Sequence, residues 1–192
     1  STQPTRDLEQ AITLLNRAGY TEENKATVTI DYTNGDRYST FEEEYAQLLA
    51  DQLEETGIFD VTLRGAAYDS FRATSATCQS GAFLLGWPPS GQPPNYIDPA
   101  HWTYYFLFNT GGVCSNFEDL QMSTTISSLE LLDPTDTNSR SEQWGQVQDI
   151  WADTYPTLDL TQEIRIALSL EKVTELKIDA LGILRYEALA KE

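Results

Sequence analysis

Helical and strand-like patterns alternate along the first half of the chain, and this order constrains the fold more than any other feature. Apolar residues recur at helical spacing in three segments, residues 7–18, 40–56 and 68–77. Between and after them lie two alternating, β-branched runs and one short apolar run, residues 27–32, 59–64 and 81–87. Strand, helix, strand, helix, strand is the order of a parallel α/β sheet, so an α/β fold is predicted.

Local end signals accompany these helices. Asp7 and Gly19 bracket the first helix, and Gly57 is expected to end the second. Thr40 with Glu43 three residues later predicts a capping box at the start of the second helix. That helix is expected to turn one face to the core, formed by Phe41, Tyr45, Leu48, Leu49 and Leu53.

The second half is predicted to be mostly helical. Residues 116–132 and 139–154 have amphipathic spacing, with a turn-rich connector between them and a break at Tyr155-Pro156. Trp144 and Trp151 are seven residues apart and are expected to share the core face of one helix.

Residues 157–178 favour two strands. The length of 192 residues favours one domain over the whole chain, 1–192.

The charge of the chain argues against one class of partner. A formal net charge of -18 would repel nucleic acid and anionic membranes, so neither is an expected partner. A solvated acidic coat is the simplest interpretation.

No apolar run is long enough to span a membrane, and the first residues lack signal-peptide features. We therefore expect a soluble chain that is mature, cytosolic or excised from a longer protein.

Catalytic signatures are weak. His101 is the only histidine, and a packing role is favoured for it because no nucleophile motif accompanies it. No phosphate-binding glycine loop is present. The aromatic residues at 102–108 favour a core stripe over ligand stacking. With thirty acidic residues a chance carboxylate pair is expected, so a glycoside hydrolase is kept only as an alternative. No cofactor or metal is expected.

Residues 86–99 look like a ligand-facing loop. Trp87 follows the apolar run at a predicted carboxyl edge of the sheet, where open α/β sheets bind ligands. Asp98 before Pro99 fits either a ligand contact or a helix N-cap. Cys78 and Cys114 flank the region; a disulfide and two free thiols are both compatible with the sequence. Binding is favoured over catalysis.

Several short motifs, taken in order, resemble the second lobe of family 5 extracellular solute-binding proteins, the peptide- and nickel-type receptors of ABC importers. The motifs are Asp7–Tyr20, the helix from Glu44 to Ile58, Val61–Leu63, Leu85–Trp87, Tyr96–Pro99, Asn116–Asp119 and the helix around 140–150. The resemblance implies a three-layer lobe of a type II periplasmic-binding-protein-like fold. It also implies a missing first lobe, toward which residues 181–186 would return, and a lipoprotein or other signal in the full-length protein.

The resemblance further implies a function. Two lobes close on a ligand by hinge motion and present it to a membrane permease, outside the cell or in the periplasm. Trp87 would stack on the ligand, and Asn95, Tyr96 and Asp98 would face it. Peptide-binding members have an aspartate where Asn95 stands, and a neutral amide cannot make that charge-assisted bond to a free amine.

That substitution and the insert at 88–94 favour capped or cyclic peptides, sugars or other organic solutes over free-amine peptides. The resemblance to a solute-binding protein also implies that the chain is non-enzymatic. A surface module that binds a protein through the aromatic loop is a further alternative.

Overall fold

A computed structural model describes residues 5–35, 37–86, 114–115, 117–158, 160–161, 173–174, 176–177 and 190–191. The helices are α1 Leu8–Arg17, α2 Glu42–Glu54, α3 Tyr68–Ser75, α4 Leu120–Leu131 and α5 Thr137–Thr154. The strands are β1 Ala26–Thr33, β2 Phe59–Ala66, β3 Ala82–Phe83, β4 Val173–Thr174 and β5 Ala190–Lys191.

The first three strands form a parallel sheet in the order β2-β1-β3, as the alternating pattern predicts. β1 and β2 pair over their full length, from Ala26 opposite Phe59 to Thr33 opposite Ala66. α2 packs against both of these strands. Each helix between parallel strands is a crossover connection, so the fold class is α/β.

β3 is shorter and less buried than its apolar sequence predicts. It has two residues, of which Ala82 is exposed, and it pairs with one side of β1. Gly81 lets the chain before β3 lie close to β1, since a Cβ at Gly81 would be only 3.1 Å from the backbone N of Thr29. The pairing extends by one bond, from Leu84 N–H to the Asp31 carbonyl at 2.8 Å. The prediction of a buried strand over 81–87 was therefore wrong in both length and burial.

The predicted ends of α1 are confirmed. The Asp7 carboxylate accepts a hydrogen bond from Gln10 N–H at 2.9 Å. Gly19 follows the helix with φ of +92°, a value that favours glycine. α5 likewise ends at Tyr155, which has φ of 45° and precedes Pro156, so the predicted break is confirmed.

The predicted core face of α2 is partly wrong. Phe41 and Leu48 are 56% and 54% exposed, whereas Ala46 and Ala50 are buried. Small side chains let a helix lie close to a sheet, and here they form the contact. Leu49 and Leu53, at the margin of that contact, pack against the cluster of Ile30, Tyr32 and Ala46, as expected of core residues.

The second half contains the helix pair that its spacing predicts. α4 and α5 bury Met122, Ile126, Leu129 and Val147, and Trp144 and Trp151 pack against this cluster. β4 pairs antiparallel with β5 near the end of the chain. Two strands are predicted within 157–178, and β4 is a strand in that range. Most of the range lies outside the described residues, so the second strand stays a prediction. In the described part, no helix is both long and apolar enough to cross a membrane.

Candidate functional site

The carboxyl ends of β1, β2 and β3 meet at one edge of the sheet, because the three strands are parallel. β1 ends at Thr33 opposite the end of β2 at Ala66. β3 ends at Phe83, and the described chain continues from it to Gly86. Ligands of open α/β sheets bind at this edge, so it is the candidate site.

The predicted ligand-facing residues lie outside the described residues. These are Trp87, Asn95, Tyr96 and Asp98, and the same holds for His101 and the aromatic residues at 102–108. Their roles stay predictions. The structure does place Gly86, the residue before Trp87. A Cβ on Gly86 would lie 2.5 Å from the Cβ of Tyr38, so the backbone passes directly over Tyr38.

Tyr38 belongs to an aromatic cluster at this edge. Its ring meets those of Tyr68 and Phe71 edge to face, with both centroid distances 6.3 Å. Phe71 in turn meets Phe83 at 6.4 Å. Burial, together with the proximity of Tyr68 and a hydrogen bond to it, raises the pKa of Tyr38 well above its usual value. The hydroxyl of Tyr38 is neutral at physiological pH, as that of an ordinary tyrosine is, and it is hydrogen-bonded to Tyr68.

Arg37 adds a cation to the cluster. Its guanidinium carbon lies 4.5 Å from the centroid of the Tyr68 ring, a cation–π geometry, and the side chain is exposed. In the part of the chain that the structure describes, no carboxylate forms a salt bridge with Arg37. An exposed, stacked guanidinium can donate two parallel hydrogen bonds to an anionic group.

Arg37 was not predicted from the sequence as a site residue. Arg37 follows the turn at Asn34-Gly35 and belongs to no motif. The signal that could have found it is a basic residue just after a strand's carboxyl end, in a chain with 12 basic and 30 acidic residues.

Glu42 fixes the loop that carries Arg37 and Tyr38. Its buried carboxylate accepts hydrogen bonds from Thr33 N–H at 3.0 Å, Tyr38 N–H at 2.8 Å and Ser39 N–H at 3.3 Å. The Thr33 hydroxyl donates to it as well, at 2.7 Å. These bonds replace the water that a buried carboxylate loses.

The capping box predicted from Thr40 and Glu43 was therefore wrong. Phe41 is the N-cap of α2 and makes no side-chain cap bond. The carboxylate that binds the neighbouring backbone N–H groups is one residue earlier than predicted, on Glu42, because the loop folds back toward the end of β1.

Asp31 and Arg64 form an ion pair across β1 and β2, where they stand opposite each other in register. Arg64 donates through both Nε and Nη2, the latter at 2.8 Å. Burial alone would raise the pKa of the Asp31 carboxyl, but its interactions with Arg64, together with that of the Ser80 side chain, outweigh it, and the pKa is lowered. The Asp31 carboxylate is thus kept ionised and paired with Arg64 between the two strands.

Cys78 and Cys114 are joined in a disulfide, with Cα atoms 4.8 Å apart. Cys78 follows α3, and the Cys114 N–H donates to the carbonyl of Ser75 in α3 at 2.7 Å. Of the two arrangements that the sequence left open, the structure has the bonded one. The two ends of the segment that contains the predicted ligand loop are thus held together beside α3.

The described residues include no group of three or more His, Cys, Asp or Glu side chains that could hold a metal ion. Together, the edge has the partly exposed rings of Tyr38, Tyr68 and Phe83 and the exposed guanidinium of Arg37. Groups of this kind can contact planar, apolar and anionic parts of a ligand.

No protein-family model matches the chain, and no curated protein matches it. Solved structures do. A dipeptide-binding protein from a Pseudoalteromonas species in complex with Met-Leu is 21% identical, with a TM-score of 0.74 over 99% of this chain and 36% of its own. A putative peptide-binding protein, AppA from Clostridium difficile, is 14% identical, with a TM-score of 0.73 over 100% of this chain and 38% of its own.

OppA from Haemophilus influenzae, in complex with RPPGFSPFR, is 19% identical, with a TM-score of 0.64 over 78% of this chain and 27% of its own. The chain thus spans about a third of the length of the structures it matches. At these identities the similarity shows the fold alone, which is periplasmic-binding-protein-like and matches part of each of these longer structures.

Proposed function

We propose that this chain is the second, ligand-binding lobe of an extracellular solute-binding protein of an ABC importer, and that it is not an enzyme. The observation that carries the proposal is the arrangement at the carboxyl edge of the sheet. Gly86 leads into the predicted ligand loop directly over Tyr38, beside the stacked pair of Arg37 and Tyr68. The matched structures include proteins in complex with peptides, which supports a peptide-like solute.

Four residues of the loop would contact the solute. Trp87 would stack on it, Asn95 would hydrogen-bond to it, and Tyr96 would lie beside it. Asp98 would contact the solute or fix the loop as a helix cap. Because the Asn95 amide has no charge, it favours a blocked amine, a hydroxyl or a carbonyl over a free ammonium group. Capped or cyclic peptides and other small organic solutes therefore fit this loop best.

Arg37 would contact an anionic group of the solute, such as a carboxylate. Stacking on Tyr68 already orders its side chain, so a smaller entropy cost remains to be met on binding. The net charge of the protein is -18, which repels anionic solutes at long range, so a local cation is required to hold one. Neutral solutes would not need Arg37.

The wider setting follows from the same proposal. A single lobe supplies half of a cleft, so the first lobe of the same protein would supply the other half, and a membrane permease would receive the solute. The disulfide between Cys78 and Cys114 favours an oxidising compartment, which suits the periplasm or the cell exterior. A lipoprotein anchor on the full-length protein is part of the proposal.

Calorimetry on the full-length, two-lobed receptor tests this function. Met-Leu and N-acetyl-Met-Leu serve as probes, because acetylation blocks the amine and removes its charge. We expect Trp87→Ala to weaken binding at least about tenfold, or about 1.4 kcal/mol, without unfolding the protein. Tyr20→Ala, at an exposed tyrosine that follows α1, is the control and should leave the affinity unchanged. Equal affinities for wild type and Trp87→Ala would refute the assignment.

The same experiment tests Arg37 when the carboxylate of the probe is amidated. Arg37→Gln should weaken binding of the free acid about tenfold and leave binding of the amide unchanged. Arg37→Lys keeps the charge but loses the planar fork, so an intermediate affinity is expected. An equal loss for acid and amide would show that Arg37 does not contact an anionic group.

A further inference from the structure

The side of α2 that faces solvent carries an apolar ridge. Phe41 and Leu48 are 56% and 54% exposed, and Tyr45 is half-buried between them. The three residues are four and three positions apart, so they line one side of the helix over about 10 Å. The rings of Phe41 and Tyr45 are in contact, with centroids 6.5 Å apart. We call these three residues the α2 ridge.

The α2 ridge is separate from the contact between the helix and the sheet. Ala46 and Ala50, which make that contact, are buried at 0% and 3% exposure and lie on another side of the helix. The exposed part of Phe41 and Leu48 therefore adds nothing to the core. A ring pair and a leucine beside it, left in water on one helix face, are typical of a protein-binding surface.

The charged side chains of α2 itself are all negative. The helix has no basic residue in its sequence EEEYAQLLADQLE. By helical spacing, Glu44 and Asp51 lie next to the ridge on its solvent side, and both are exposed. Asp51 accepts a hydrogen bond from Gln47 at 2.7 Å, and Glu55, one residue beyond the helix, is paired with Arg6.

We propose that the α2 ridge docks a basic, amphipathic segment of another protein, with large aliphatic side chains against Phe41 and Leu48 and lysine or arginine beside Glu44 and Asp51. Charge complementarity selects this partner. A second copy of the chain would place like charges face to face at a net charge of -18, and an anionic lipid surface would be repelled. This surface goes beyond the proposed function, because it takes no part in holding the solute.

A designed peptide pair tests the proposal on the full-length, two-lobed receptor. The first is a labelled helix of about 18 residues with leucine at three- and four-residue spacing and lysine elsewhere. The second has glutamate in place of every lysine. Fluorescence anisotropy should show binding of the lysine peptide only, and added salt should weaken it.

Substitutions separate the ridge from general attraction to an acidic protein. Phe41→Ser with Leu48→Ser should weaken binding of the lysine peptide at least about tenfold, and so should Glu44→Lys with Asp51→Lys. Glu142→Lys with Asp149→Lys, two exposed residues of α5, changes the net charge by the same amount and is the control. That control should retain most of the affinity.

Three results would overturn the proposal. The first is an affinity that the Phe41 and Leu48 substitutions do not change. The second is a loss of peptide affinity in the α5 control variant as large as that in the Glu44 and Asp51 variant, which would mean that only long-range charge attracts the peptide. The third is a concentration-dependent dimer in analytical ultracentrifugation that Leu48→Ser abolishes, because a second copy would then be the partner. Since every substituted side chain is exposed, circular dichroism should show an intact fold in every variant.

Discussion

Gly86 lies against Tyr38 so closely that a Cβ atom on Gly86 would stand 2.5 Å from the Cβ of Tyr38. Neither partner can move easily. Tyr38 packs between Tyr68 and Phe71, and its backbone N–H donates to Glu42 at 2.8 Å. The backbone after β3 therefore passes over the β1–α2 loop at a distance that only glycine allows.

Gly86→Ala should therefore destabilise the protein. The added methyl group would meet a Cβ atom, which shifts only if the backbone shifts, so we expect the free energy of unfolding to fall by about 1–3 kcal/mol. Urea denaturation measures this change. Gly145→Ala in α5 is the matched control, since nothing lies within 4 Å of its Cβ position.

In that control, alanine replaces glycine inside a helix and should stabilise the protein by about 0.5–1 kcal/mol. If Gly86→Ala and Gly145→Ala changed the free energy of unfolding in the same direction, the role assigned to the contact between Gly86 and Tyr38 would be wrong.

The elements of the first half could be predicted because each has a clear period and clear end signals. Asp7 and Gly19 bracket α1 as predicted. The capping box at α2 failed for a tertiary reason. Glu42 takes its donors from Thr33 in β1 and from the loop at Tyr38, and no short sequence motif encodes that fold-back.

Burial along α2 could not be predicted from hydrophobicity alone. Ala46 and Ala50 are only weakly hydrophobic, yet they make the contact with the sheet because they are small. Phe41 and Leu48 are strongly hydrophobic and are nevertheless exposed. The edge of the sheet followed from topology, whereas Arg37 is distinguished only by its stacking on Tyr68, which is far from it in sequence and lies at the start of α3.

The Asp31–Arg64 pair should make stability depend on pH. Burial opposes ionisation of Asp31, but Arg64 and Ser80 together outweigh it, so the pKa in the folded state lies below the ordinary value of 3.8. A lowered pKa means that the folded state binds its proton less tightly than the unfolded state does. The stabilisation is therefore complete above about pH 5 and is lost as the pH falls through and below 4.

Asp31→Asn checks this dependence. At pH 7 the variant should be less stable than wild type by about 1–2 kcal/mol, a modest loss because Arg64 is 47% exposed and regains water. The difference should shrink as the pH falls below about 4. Asp60→Asn, at an exposed residue of β2, should show no such trend. A difference that stays constant down to pH 2 would mean that the ion pair is not its cause.

The disulfide between Cys78 and Cys114 should contribute a large part of the stability. The bond closes a loop with a sequence separation of 36 residues. On the chain-entropy model a loop of this length is worth about 4 kcal/mol. Reduction, or replacement of both cysteines by serine, should lower the midpoint of urea unfolding accordingly. A reducing agent should have no further effect on the double-serine variant, and a wild-type midpoint that does not change on full reduction would refute the prediction.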